Sequence, residues 1–193
     1  MKIVIIDYGA GNIQSIQFAL QRLGYTAVLS SDRNIIKEAD KVIFPGVGEA
    51  SSAMTKLKES GLDTLIPMLK QPVLGICLGM QLMCRYSEEG DTNGLGIFDV
   101  DVVRFSNKVK VPQIGWNQIT DLKTPLFKDI AEKEYIYLVH SYYAPLCEET
   151  IAVSDYELLY SSAMCKDNFW GVQFHPEKSS EVGERILKNF VNL

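Results

Sequence analysis

The chain opens on an apolar, β-branched run over residues 2–6, followed by Gly9-Ala10-Gly11 and then by Ile13, Ile16, Leu20 and Leu23. That change from a continuous run to a spacing of three and four predicts strand, loop and helix. Residues 26–29, 41–44 and 72–76 read as further strands, and residues 49–60 and 62–70 as helical stretches. Strands separated by helices predict a mostly parallel central sheet covered by helices. From about residue 97 the β-like runs shorten, as at 100–105, 135–139 and 169–174, and turn-forming residues separate them, which predicts added antiparallel strands in the second half. A last helix over 180–192 places Val182, Ile186, Leu187 and Phe190 on one side. It also carries Glu181 in its first turn, where a negative charge suits the helix dipole.

Composition narrows the class. The 193 residues are 47% hydrophobic and 22% charged, which fits one globular domain spanning 1–193. A net charge of -5, a pI near 5.1 and no Lys/Arg run leave no basic field for phosphate backbones or anionic lipid, so neither nucleic acid nor a membrane is an expected partner. The apolar N-terminal run is too short for a secretion signal, and no stretch approaches the ~18 apolar residues that span a bilayer, so a cytoplasmic protein is expected. The four cysteines form no C-x-x-C pair, and two histidines assemble no zinc pattern. Gly9-Ala10-Gly11-Asn12 lacks the third glycine and the acidic residue about 20 positions on of a dinucleotide loop. No metal or cofactor is expected, and any cysteine chemistry is expected to be nucleophilic.

The segment Gly75-Ile76-Cys77-Leu78-Gly79-Met80-Gln81 follows an apolar strand and opens a helical pattern that includes Leu82, Met83 and Tyr86. It has the G-x-C-x-G form of a nucleophile elbow, in which glycines on both sides let the chain turn sharply, the central side chain is lifted above the sheet and the next amide, that of Leu78, faces a developing oxyanion. The helix start beside the sulfur favours thiolate. Cys84, seven residues on along the same helical face, has no glycine frame and is expected in the core. A cysteine nucleophile needs a base. His175 ends a strand and precedes Pro176, which biases it toward extended backbone, so that Glu177, two residues on, points to the same side and can orient the imidazole. His140 has no acid at that spacing and is expected to pack or to touch substrate. Pro45-Gly46-Val47-Gly48-Glu49 follows the third strand, at the same sheet edge as Cys77, where its amides can add an oxyanion donor.

Pro45-Gly46-Val47-Gly48, the Cys77 segment and Gly171-Val172-Gln173-Phe174-His175-Pro176-Glu177 resemble, in order and spacing, the three signature segments of class I glutamine amidotransferases. Asp7-Tyr8-Gly9-Ala10-Gly11-Asn12, Gly115-Trp116-Asn117, His140-Ser141-Tyr142-Tyr143 and Lys178-Ser179 are similar to the glutaminase subunits of imidazole glycerol phosphate synthases. The resemblance runs from the first strand to the last helix. It implies the three-layer α/β fold of that family and a triad of Cys77 as nucleophile, His175 as acid/base and Glu177 as its orienter. It further implies oxyanion donors from the backbone at Gly46, Val47, Gly48 and Leu78, and a glutamine site at Gln81, Ser141 and Tyr142. The implied partner is a (βα)8-barrel cyclase subunit forming a heterodimer, met through Asn12 and Lys178. A glutaminase of another synthase, such as anthranilate or pyridoxal phosphate synthase, would keep the triad and change the acceptor. More distant alternatives are a cysteine hydrolase on a related α/β scaffold and a non-catalytic flavodoxin-like binding module in which Cys77 is only packed.

Overall fold

In the computed structural model, which describes residues 1–193, the first half alternates strand and helix. The elements are β1 (Ile3–Ile6), α1 (Ile13–Arg22), β2 (Ala27–Ser30), α2 (Arg33–Lys37), β3 (Lys41–Phe44), α3 (Ala50–Glu59), α4 (Leu62–Leu65), β4 (Val73–Ile76) and α5 (Leu78–Met83). Next come β5 (Cys84–Ser87), β6 (Thr92–Asn93), β7 (Phe98–Arg104), β8 (Gln113–Gln118) and β9 (Tyr135–His140). The chain finishes with β10 (Tyr142–Tyr143), β11 (Thr150–Tyr156), β12 (Leu158–Lys166), β13 (Phe169–Val172) and α6 (Ser180–Val191).

The main sheet has the order β11-β12-β13-β4-β3-β1-β2. Its pairs from β13 to β2 are parallel, and β11 and β12 extend it antiparallel. Every residue of β1, β3 and β4 is buried, as expected of strands covered on both faces. Alternation along β1 divides the core. Ile3 and Ile5 join Ile16 and Leu20 of α1 and Ile186, Leu187 and Phe190 of α6, whereas Val4 and Ile6 join Met54 and Leu57 of α3 and Leu62 and Leu65 of α4. The result is three layers, helix, sheet and helix. A smaller sheet, β10-β7-β5-β6, and the β8-β9 ribbon flank the main sheet.

The register sets the functional edge. Phe44 of β3 pairs with Gly75 of β4, and Ile76 of β4 pairs with Val172 of β13, so these strands end at one level. Pro45, Cys77 and Gln173 therefore leave the sheet side by side, at the carboxyl ends where open α/β sheets bind ligands.

Four local differences from the sequence-based expectations have identifiable causes. The helix after Cys77 stops at Met83, and Cys84–Ser87 becomes β5, which pairs with β7 and ties Arg85 to Asp99 and Asp101. Cys84 is thus buried as expected, but it sits on a strand, because long-range pairing overrides the local helical spacing. The stretch 62–70 splits into α4 and a single 3-10 turn, Ile66–Met68, since Pro67 has no N–H to continue an α-helix. The short α2, capped by Asp32 accepting from the amides of Asn34 and Ile35, falls in a stretch too brief to show a period. β13 ends at Val172, short of the predicted 174, although Gln173 still donates its amide to the Ser162 carbonyl.

Glycine at position 79 is required by space. An added β-carbon would overlap the Phe44 carbonyl oxygen and press on Pro45. Gly79→Ala is expected to destabilise the fold by about 1–3 kcal/mol, the usual cost of overpacking, and denaturant unfolding of the two proteins measures it.

Candidate active site

Cys77 caps the start of α5 with φ 54° and ψ -112°. A residue with a β-carbon is held in such a region at a cost on the order of 1–3 kcal/mol, so the surrounding structure must enforce it. The enforcement is visible. The Cys77 amide donates to the Val172 carbonyl at 2.8 Å, and its carbonyl accepts from the Gln81 amide at 3.2 Å. Gly75 and Gly79, expected to let the chain turn sharply, have no positive φ. They supply room instead: a β-carbon at Gly75 would lie 2.9 Å from the Met80 nitrogen. Gly46 repeats the theme, since its added β-carbon would meet the Gly79 nitrogen at 2.5 Å. The 45–48 loop is therefore seated directly on the elbow, and the Tyr8 hydroxyl holds it by donating to the Pro45 carbonyl at 2.8 Å.

A cavity of about 330 Å³ opens above the sulfur. Val47, Gly48, Cys77, Leu78, Gln81, Ser141, Tyr142, His175 and Lys178 are among the residues that line it. Leu78 is the first residue of α5, so its amide has no partner within the helix. Gly46 and Glu177 do not line the cavity; Gly46 packs on the elbow and Glu177 is bound to His175. Asn12, at the start of α1, accepts from the Ser15 hydroxyl and does not line the cavity. Glu89 does, and sequence reasoning misses it, because nothing in Ser87-Glu88-Glu89-Gly90 marks one carboxylate of the pair as half-buried at the cavity. Burial pushes its carboxyl up, against the hydrogen bond it accepts from the Ala50 amide at 2.9 Å.

His175 and Glu177 meet, Nδ1 to Oε1 at 2.9 Å, with both side chains buried. The local geometry differs from the extended one that the sequence predicts. His175 is extended, but Pro176–Lys178 is a 3-10 turn, and it is this turn that folds the carboxylate back. The turn is fixed by Ser179, whose hydroxyl donates to the His175 carbonyl and accepts from the Tyr137 amide. Desolvation opposes charge on His175. Hydrogen bonding and attraction to the Cys77 sulfur and the Glu177 carboxylate outweigh it and raise the imidazole to about 10. Glu177 Oε2 has no partner, so the carboxylate has only His175 to satisfy it. Cys77 Sγ also lies 3.7 Å from the Val139 carbonyl, to which it can donate, and 3.7 Å from Gln173 Nε2, which donates to it. A thiolate beside an imidazolium can attack a carbonyl carbon and protonate the group that leaves.

His140 is the opposite case. It is buried against Phe105 and Tyr160, and its Nδ1 lies 2.8 Å from the Tyr142 carbonyl. Burial lowers it to about 4, despite that hydrogen bond and with help from His175. It lines the cavity as a neutral ring that packs. Because the unfolded histidine takes up its proton near pH 6.5 and the folded one only near 4, stability is full above 6.5 and falls as pH drops through that window. The loss amounts to ~3 kcal/mol at most. In His140→Gln this acid limb should flatten relative to the variant's own neutral stability, as measured by unfolding between pH 7 and 4.

The family model for class-I glutamine amidotransferases matches residues 4–193. The chain is 59% identical to imidazole glycerol phosphate synthase subunit HisH of Bacteroides fragilis, with 100% of both chains covered. It is 47% identical to the protein of the same name from Haemophilus influenzae, covering 99% of this chain and 97% of that one. Among solved structures, a putative GMP synthase component from Thermoplasma acidophilum has a TM-score of 0.77 at 20% identity, covering 100% of this chain and 92% of that one. PurLQS from Thermotoga maritima has 0.73 at 14%, covering 99% and 97%. These structural likenesses establish the fold. Together with the elbow at Cys77 and the paired His175 and Glu177, a match over nearly the whole length makes this chain a member of the class-I glutamine amidotransferase family.

Proposed function

We propose that this protein is the glutaminase subunit of an imidazole glycerol phosphate synthase, releasing ammonia from glutamine and passing it to a cyclase subunit for histidine biosynthesis. The observation that carries the chemistry is a single cavity lined by Cys77 on its strained elbow and by a His175 that Glu177 orients. Full-length similarity to HisH subunits carries the choice of synthase.

The roles follow from position. The Cys77 thiolate attacks the side-chain amide carbon of glutamine, and the tetrahedral oxyanion is met by backbone amides from residues 46–48 and from Leu78. Collapse breaks the C–N bond as the His175 imidazolium gives its proton to the departing nitrogen. The neutral imidazole then takes a proton from water, whose oxygen attacks the thioester carbon and expels the thiolate as glutamate forms. Glu177 steadies the imidazolium without changing its own protonation. Gln81, Ser141 and Tyr142 hold the substrate's polar groups, and Glu89 supplies a carboxylate for its ammonium group.

Free ammonia in neutral water is mostly protonated and not nucleophilic, so a glutaminase site of this kind needs an acceptor close by. The β8-β9 ribbon offers the landing surface. Ile114, Trp116 and Tyr135 are exposed on it, Trp116 packs edge-on against Tyr137 at 5.8 Å, and Lys178 Nζ stands 6.0 Å above the Tyr137 ring. Lys178 and Val139 also line the catalytic cavity, so a barrel cyclase seated here would cover its mouth. We extend this contact to Asn12, at the start of α1. No helix is long and apolar enough to cross a membrane. All four cysteines are free, which suits work in the reducing cytoplasm.

Glutamate release by the chain should be slow alone and rise when a barrel cyclase and its nucleotide ligand are added. Cys77→Ala should abolish glutamine-dependent synthesis while sparing synthesis from ammonium salts. Release that ignores this partner would direct the assignment to another synthase. Trp116→Ala should weaken the heterodimer by about 2 kcal/mol, as expected for a central aromatic anchor, and titration calorimetry checks it.

A further inference from the structure

Two buried glutamines join Cys77 to the substrate wall, and the hydrogen bonds fix which way each amide points. Gln81 Nε2 donates to the Tyr142 carbonyl at 2.9 Å. A carbonyl can only accept, so the NH2 end of Gln81 faces Tyr142. The same Nε2 donates at 2.9 Å to Gln173 Oε1, so Gln173 must present its oxygen to Gln81 and its NH2 to the other side. On that side, 3.7 Å away, is Cys77 Sγ. Gln173 is fully buried, out of reach of bulk solvent. The polarity of the chain is thus set by one backbone carbonyl, and it ends by aiming an N–H at the sulfur.

We propose that Gln173 is a positioning residue that favours the thiolate of Cys77 and, through the same amide, holds Gln81 with its Oε1 toward the substrate. The sulfur sits between an acceptor, the Val139 carbonyl, and a donor, Gln173. A thiol can use the first by donating its proton, and an N–H donor is best used by the thiolate, which is the stronger acceptor. The donor acts together with His175. Whereas His175 must leave the ion pair to protonate ammonia, Gln173 has no proton to give up and stays in place throughout the cycle. Gln81 Nε2, with both hydrogens committed, cannot turn toward the substrate, so its Oε1 is left as an acceptor for a donor group of glutamine. This inference rests on Cys77 being the glutaminase nucleophile.

The test is the pH dependence of Cys77 alkylation by iodoacetamide in the purified full chain, followed by mass spectrometry of the peptide that carries Cys77. Gln173→Met keeps the length and removes the donor. Its inflection should move up by about one pH unit, making alkylation roughly tenfold slower below the inflection, and the KM for glutamine in the complex should rise several-fold as Gln81 is released. A merely structural Gln173 would leave the inflection in place. An unchanged inflection in folded Gln173→Met overturns the proposal. If that variant does not fold, the wild-type protein decides: the side-chain NH2 resonances of Gln173 should titrate with Cys77 and stay flat in Cys77→Ala. Resonances flat in both proteins overturn it. Absence of glutamate release by the wild-type complex would overturn the glutaminase reading instead, and the thiol titration would still judge Gln173 by itself.

Discussion

The catalytic edge depends on how closely the chain around Cys77 can approach the end of β3. Gly79 lies against the Phe44 carbonyl and Gly46 against the Gly79 nitrogen, with no room for a β-carbon at either contact. That contact brings the 45–48 loop and the start of α5 into one cavity with the Cys77 sulfur. The strained backbone of Cys77 is its consequence: once β4 and α5 are pressed against β3, the turn between them has little other course to take. The cost of strain is carried by a core that is buried on both faces of the sheet, where rigidity is greatest.

Electrostatics then separates two histidines that share one cavity. His175 is buried, but the Cys77 sulfur and the Glu177 carboxylate compensate its charge, so it carries a proton readily. His140 is buried among Phe105 and Tyr160 with no carboxylate, and it stays neutral. Desolvation acts on both in the same direction, and the nearby negative groups decide which can serve as acid and base. The supporting shell follows the same logic. Ser179 ties the His175 turn to β9, and the Gln81-Gln173 pair ties the elbow to the Tyr142 carbonyl.

Much of this was legible in short stretches of the chain. The G-x-C-x-G frame, the His175-Pro176-Glu177 spacing and the glycines after the third strand each state a local requirement, and the fold brings all three to one edge of the sheet. Two details depend on what approaches from elsewhere in the fold. Glycines 75 and 79 let the chain turn by leaving space and not through a left-handed backbone, and periodicity along a chain carries no information about what approaches from another strand. Residues 84–87 looked helical because their spacing from Leu82 and Met83 fits a helix, yet pairing with β7 draws them into a sheet.

By itself, then, the sequence determined the alternating α/β order, the sheet edge that would hold the site, and the identity of Cys77, His175 and Glu177 as candidates. These are properties of neighbouring residues and of turns, which local chemistry dictates. Only the tertiary structure decided that Glu89 enters the cavity, that His140 is a neutral packing group, that Glu177 folds back through a 3-10 turn, and that Gln173 turns its amide toward the sulfur. Each of these depends on groups brought together from distant parts of the chain, whose burial and hydrogen-bond partners exist only after the sheet has closed around them.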